Sequence, residues 1–73
     1  MSRLIRLDRT GHTELAEWNV DGAGVERARA AFAAELEHGY FAVATGPGGG
    51  AEQVRELPLD AELVVLRRPI AGG

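Results

Sequence analysis

Leu63-Val64-Val65-Leu66 is an unbroken apolar run of strand-forming residues, and no other stretch constrains the fold as much. A strand with one wet face alternates apolar and polar side chains, so a strand without alternation belongs inside a sheet rather than at its edge. Something must then cover at least one of its faces. Val25, Ala28, Phe32 and Leu36 recur at spacings of three, four and four with charged residues between them, the pattern of one amphipathic helix. Asp21 suits its N-cap, and His38 followed by Gly39 suits its end. With one helix available in 73 residues, the last strand is expected at the centre of a sheet. The helix covers one face, and water or a partner meets the other.

Residues 3 to 20 read as a β-hairpin. With Gly11-His12 as a two-residue loop, Arg9 faces Glu14 and Arg6 faces Glu17, while Leu7 faces Ala16 and Ile5 faces Trp18. This register predicts one ion-paired, exposed face carrying Arg6 and one apolar face ending in Trp18. After the helix, Tyr40 to Thr45 is a short strand, residues 46–50 are a glycine-rich loop, and Gln53 to Leu57 is a strand. Pro58-Leu59-Asp60 is a turn and Glu62 to Arg67 the last strand. Pro69 has no N–H to give a ladder, so the sheet is expected to stop near Arg68. The order is β-β-α-β-β-β, an α+β class with a mixed sheet packed on one helix.

The residues exclude most chemistry. There is no cysteine, hence no disulfide, thiolate nucleophile or cysteine metal site. Ser2 is the sole serine, and His12 and His38 are the only histidines, so no Ser-His-acid set assembles. Glu35-x-x-His38 is half of a bundle-type metal motif without a second copy, and Asp60 and Glu62 lack an acid/base partner. The Gly46-Pro47-Gly48-Gly49-Gly50 loop lacks the Lys-Ser or Lys-Thr of a phosphate-binding loop. No enzyme and no bound cofactor are expected. A net charge of −3 disfavours nucleic acid as a partner, and Met1-Ser2-Arg3-Leu4 leads into only a short apolar stretch broken by Arg6, so neither a signal peptide nor a membrane span is read. A cytoplasmic location is the expectation. All eight basic residues are arginine, so the N-terminus is the only primary amine.

What remains is the ending, Pro69-Ile70-Ala71-Gly72-Gly73. Residues 69–73 can span about 16 Å when extended, at roughly 3.3 Å per residue. Glycine has no Cβ, so Gly72 and Gly73 can enter a channel too narrow for other residues. Arg67 and Arg68 before them can make charge-assisted contacts with an acidic groove.

In its Arg9-Thr10-Gly11-His12-Thr13 hairpin and its Leu63-Val64-Val65-Leu66-Arg67 strand the chain resembles ubiquitin. From Asp60 to Leu66, and again from Pro69 to Gly73, it is similar to the bacterial sulfur carriers of thiamine and molybdopterin synthesis. The resemblance to this ubiquitin-like β-grasp superfamily extends over nearly the whole chain. It implies a β-grasp domain over 1–68 and a flexible tail over 69–73. It further implies that a partner activating enzyme, consuming ATP, adenylates Gly73 with Gly72 as its required neighbour, and that Arg67, Arg68, Ile70 and Ala71 are read as the tail enters that enzyme. A conjugating enzyme or peptidase could follow. Leu63, Val64, Val65 and Leu66 are the candidate partner surface, one alternate pair of them facing away from the helix. Three functions fit the resemblance: a protein modifier joined through Gly73 to an amine, placed first; a sulfur carrier using a Gly73 thiocarboxylate, which a bacterial origin suggested by the Ala-, Gly- and Arg-rich composition would favour; and a β-grasp binding module without tail chemistry. The missing lysines depart from ubiquitin and exclude lysine-linked chains of this protein.

Overall fold

The computed structural model describes residues 2–8, 11–19, 21–45 and 50–68. They form a small α+β fold of β1 (Ser2–Asp8), β2 (Gly11–Trp18), α1 (Val25–Glu37), β3 (Phe41–Thr45), β4 (Ala51–Val54) and β5 (Leu63–Arg67). The five strands make one sheet in the order β2-β1-β5-β3-β4. β5 runs parallel to β1 and antiparallel to β3, so the unbroken apolar strand is central and the sheet is mixed, an arrangement compatible with a β-grasp. Glu62, read from sequence as the first residue of this strand, precedes it but already joins both neighbours. Its carbonyl accepts from the Arg3 N–H at 3.1 Å and its N–H donates to the Thr45 carbonyl at 3.2 Å.

Alternation along β5 sorts its side chains. Val64 and Leu66 are fully buried with Leu4, Ala42, Ala44 and the helix residues Ala28 and Phe32. Val65 and Leu63 point to the helix-free face and are half-buried. Alanine supplies five of the eleven core residues, which leaves few large side chains to supply burial; Trp18, Leu4, Leu66 and Val64 are the largest that are fully enclosed among the described residues. In so small a chain each of them carries a large share of the apolar area removed from water. Trp18 also donates its indole N–H to the Leu59 carbonyl at 3.1 Å, fastening the connection before β5, with its buried Leu57 and Ala61, over one end of the core.

The hairpin departs from the sequence-based register. Asp8 faces Gly11 and Leu7 faces His12, so the two residues expected to form the loop lie inside β2, Gly11 at φ +113°. Leu4 faces Ala16 and Ser2 faces Trp18, in place of Leu7 and Ile5, and Ile5 faces Glu14. The register slips between Leu4 and Ile5, leaving Leu15 as a bulge. The expected Arg6–Glu17 pair does not form, and the expected Arg9–Glu14 pair involves Arg9, which lies outside the described residues; Glu14 meets Arg3 at 3.6 Å. The physical reason is that β1 is not half of an isolated hairpin. It is bonded on both sides, carries apolar residues on both faces, and takes its inward residue, Leu4, from its match to Val64 on β5.

The helix is the predicted one, with Val25, Ala28, Phe32 and Leu36 on its packed side. Its N-cap is Gly24 rather than Asp21. Asp21 instead accepts the Ala23 N–H at 3.1 Å, a local turn ahead of the helix. Gly24 sits at φ +81° against the Glu17 carbonyl and 3.3 Å from the Trp18 Cα as a Cβ there would measure it. A side chain has no room. At the far end Gly39, at φ +94°, closes the helix as anticipated, its N–H bonding the Leu36 carbonyl at 3.1 Å while the Tyr40 N–H bonds the Glu35 carbonyl at 3.1 Å. The strand expected over Gln53 to Leu57 begins earlier, at Ala51, and ends at Val54; Leu57 is a core residue in the connection that follows.

Candidate partner face and tail exit

Two regions answer to the residues singled out from the sequence. The first is the helix-free face of the sheet. Val65 lies between Ile5 of β1 and Val43 of β3, and all three are half-buried, giving an apolar strip across three strands. Leu63 lies between Arg3 and Thr45. Of the four residues expected at a partner surface, Val64 and Leu66 have no exposure at all. They hold the helix on the sheet, and only Leu63 and Val65 can meet a partner. The strip is bordered at β2 by Glu14 and Glu17 with Arg3 beside them. A hydrogen bond between the two carboxyls, with the repulsion of the Glu14 charge, holds the Glu17 carboxyl above the usual carboxylate range, while Arg3 pulls the other way.

The second region is the end of the sheet where β5 stops. Arg67 faces Phe41 on β3 and is exposed; Arg68 follows, outside the ladder. The Arg68 guanidinium carbon lies 5.7 Å from the centre of the Tyr40 ring, and that of Arg6 lies 5.9 Å from the same centre. Arg6 sits opposite Leu66 on the helix side of β1 and donates to Glu35 at 2.9 Å. Its Nε is buried and lies 3.6 Å from the Asp8 carboxylate. Arg6, expected on an exposed charged face, is thus a packed residue tying β1 to the helix. Sequence reasoning missed this cluster, although a signal was present: Arg6 is two residues from Leu4 and so shares its face, and Glu35 is three residues from Phe32 and so borders the helix's packed side.

Residues 69–73, and with them Ile70, Ala71, Gly72 and Gly73, lie outside the described residues. So does most of the glycine-rich loop. Glu35, half of the Glu35-x-x-His38 pair, is engaged by Arg6, and no group of three or more His, Cys, Asp or Glu among the described residues is placed to hold a metal ion. No described helix is long and apolar enough to cross a membrane. An open groove of about 560 Å³ between β4 and the turn before β5 carries the carboxylates of Glu52 and Asp60 on an otherwise largely apolar lining of Ala44, Val54, Pro58 and Ala61. Comparison with protein-family models, curated proteins and solved structures finds no match to this chain.

Proposed function

We propose that this chain is a ubiquitin-like β-grasp modifier whose Gly73 carboxylate is activated by a partner enzyme and passed to an amine of a target protein. The observation carrying the reading is the position of β5: the strand that leads into residues 69–73 is the central one of the sheet, bonded on both sides. A tail continuing from such a strand starts from a rigid point, with Arg67 and Arg68 at its base. The half-buried Leu63 and Val65 supply an apolar face on the same strand for the partner to rest on.

The proposed chemistry requires that Gly73 present a free carboxylate. A Gly73 oxygen attacks the α-phosphorus of ATP, pyrophosphate leaves, and an acyl-adenylate results. A cysteine thiolate of the partner then attacks the Gly73 carbonyl and displaces AMP, giving a thioester. A target amine attacks the same carbonyl, the thiolate leaves, and an amide bond is made. The folded body contributes binding and presentation, and all covalent work belongs to the partner.

The test is ATP–pyrophosphate exchange by adenylating enzymes of the same genome, supplied with the chain ending at Gly73 and with a chain lacking Gly73. Exchange with the first alone supports the reading. Equal exchange with both overturns it. Recovery of the product then identifies the acceptor: an amide to another protein is the expected outcome, and a thiocarboxylate formed with sulfide would replace the modifier by a sulfur carrier.

A further inference from the structure

We infer that Tyr40 is a positioning residue that holds Arg68, the residue that precedes 69–73, beside the end of β5. Arg68 has no ladder partner among the described residues, since β5 ends at Arg67. What it has is the Tyr40 ring, at 5.7 Å from guanidinium carbon to ring centre, within the range of a cation–π contact. The ring is itself held. Tyr40 is the first residue beyond the helix-ending Gly39, and its N–H is bonded to the Glu35 carbonyl at 3.1 Å. Its side chain is half-buried and packs against the core.

Two guanidiniums on one ring should repel each other. Here Arg6 brings little net charge, because Glu35 at 2.9 Å and Asp8 at 3.6 Å offset it. The repulsion that Arg68 meets beside the ring is therefore weakened. Glu35 consequently acts twice in the same bracket: its carbonyl fixes the Tyr40 backbone and its carboxylate neutralises the competing cation. An arginine fixed at the base of the tail loses less rotamer freedom when an acidic groove takes it up. Why such a bracket exists rests on the modifier reading; its presence does not.

The experiment uses the protein alone. Trypsin cuts the Arg67–Arg68 bond only when this segment leaves the sheet, so the rate follows the population of the released state. The bond after Arg27, within the helix, reports global opening and serves as the reference. Relative to it, Tyr40→Leu is expected to raise cleavage at Arg67–Arg68 by about two- to fivefold, the value of an exposed cation–π contact. Tyr40→Phe keeps the ring and should cleave at the wild-type rate. In NMR spectra the Arg68 side-chain methylene protons should be shifted upfield by the ring in wild type and Tyr40→Phe, and not in Tyr40→Leu. Equal relative cleavage of Tyr40→Leu and wild type, Tyr40→Phe cleaving as fast as Tyr40→Leu, or unshifted Arg68 protons in the wild type would each overturn the inference. Absence of ATP–pyrophosphate exchange would refute the modifier reading and leave these readouts unchanged.

Discussion

Arg6, in the first strand, donates to Glu35, near the end of the helix, at 2.9 Å across the edge of the core. Both side chains are largely withdrawn from solvent, at 29% and 12% exposure, so the pair is more than a surface ion pair. Removing Arg6 leaves the Glu35 carboxylate poorly solvated without its close cation, and removing Glu35 leaves Arg6 only the longer contact with Asp8 at 3.6 Å. Arg6→Ala and Glu35→Ala are each expected to lower unfolding free energy by about 1–2 kcal/mol. The double variant should lose less than the sum of the two. Urea titrations followed by Trp18 fluorescence measure all three.

The fate of Arg6 also shows what the sequence could reveal. The central place of Leu63 to Leu66, the single helix and its glycine end were legible, because unbroken apolarity, a 3.6-residue period and a C′ glycine each have one cheap structural solution. The hairpin register was not. Charge pairing offered one register, but the pairing of β1 with β5 decides which residue of β1 turns inward, and that pairing spans about sixty residues of sequence. For the Tyr40 cluster the spacing of Arg6 from Leu4 and of Glu35 from Phe32 was a partial signal; that these two residues meet Tyr40, and Tyr40 meets Arg68, depends on the assembled sheet.

Gly24 offers a sharper test of local structure. Its left-handed φ of +81° alone costs an L-residue about 1–2 kcal/mol, and a Cβ would also run into the Glu17 carbonyl. Gly22, at φ +105°, has nothing within 4 Å of the equivalent position. Gly24→Ala should therefore destabilise the protein clearly more than Gly22→Ala does, as read from denaturant midpoints. Equal losses would mean that Gly24 is not pressed against the end of β2.

The Glu14 and Glu17 carboxyls give a pH dependence whose sign is fixed by the direction of the shift. Glu17 holds its proton to higher pH in the folded chain than in the unfolded one. Its favourable contribution is therefore fully present below the ordinary glutamate value and is lost as pH rises through the raised folded value. Once Glu17 is ionised, the repulsion from Glu14 remains and Arg3 offsets only part of it. Glu17→Gln should raise the thermal midpoint modestly at about pH 7, and the gain should disappear at about pH 3.5, where the wild-type carboxyl is protonated in both states. A gain that persists in acid would rule out carboxylate repulsion as its source.

Because the chain has no lysine, an activated Gly73 has no side-chain amine of its own to attack. If the proposed activation occurs, oligomers should form only through the N-terminal amine, and peptide mass spectrometry of the reaction would locate every joint. Arg6, which the hairpin pattern offers as an exposed place to install lysine, is unsuitable, since substitution there disturbs the contact with Glu35. His38 is exposed at the helix end, two residues before Tyr40. His38→Lys is expected to introduce a self-acylated product that the wild-type chain lacks.

Val64 and Val65 are neighbours on the central strand with opposite surroundings, and replacing each with threonine changes one methyl for a hydroxyl at nearly constant shape. At Val64 the hydroxyl enters a site with no exposure, between Leu4 and Ala44. Burying it there without a good partner is expected to cost about 1–3 kcal/mol. At Val65 the side chain is half-exposed on the helix-free face, threonine keeps its strand preference, and the cost should be about 0.5 kcal/mol or less. Denaturant midpoints of the two variants should therefore separate widely. If Val65→Thr proved the more damaging, Val65 would be the inward residue, and the apolar strip it forms with Ile5 and Val43 could not serve as a face for a partner.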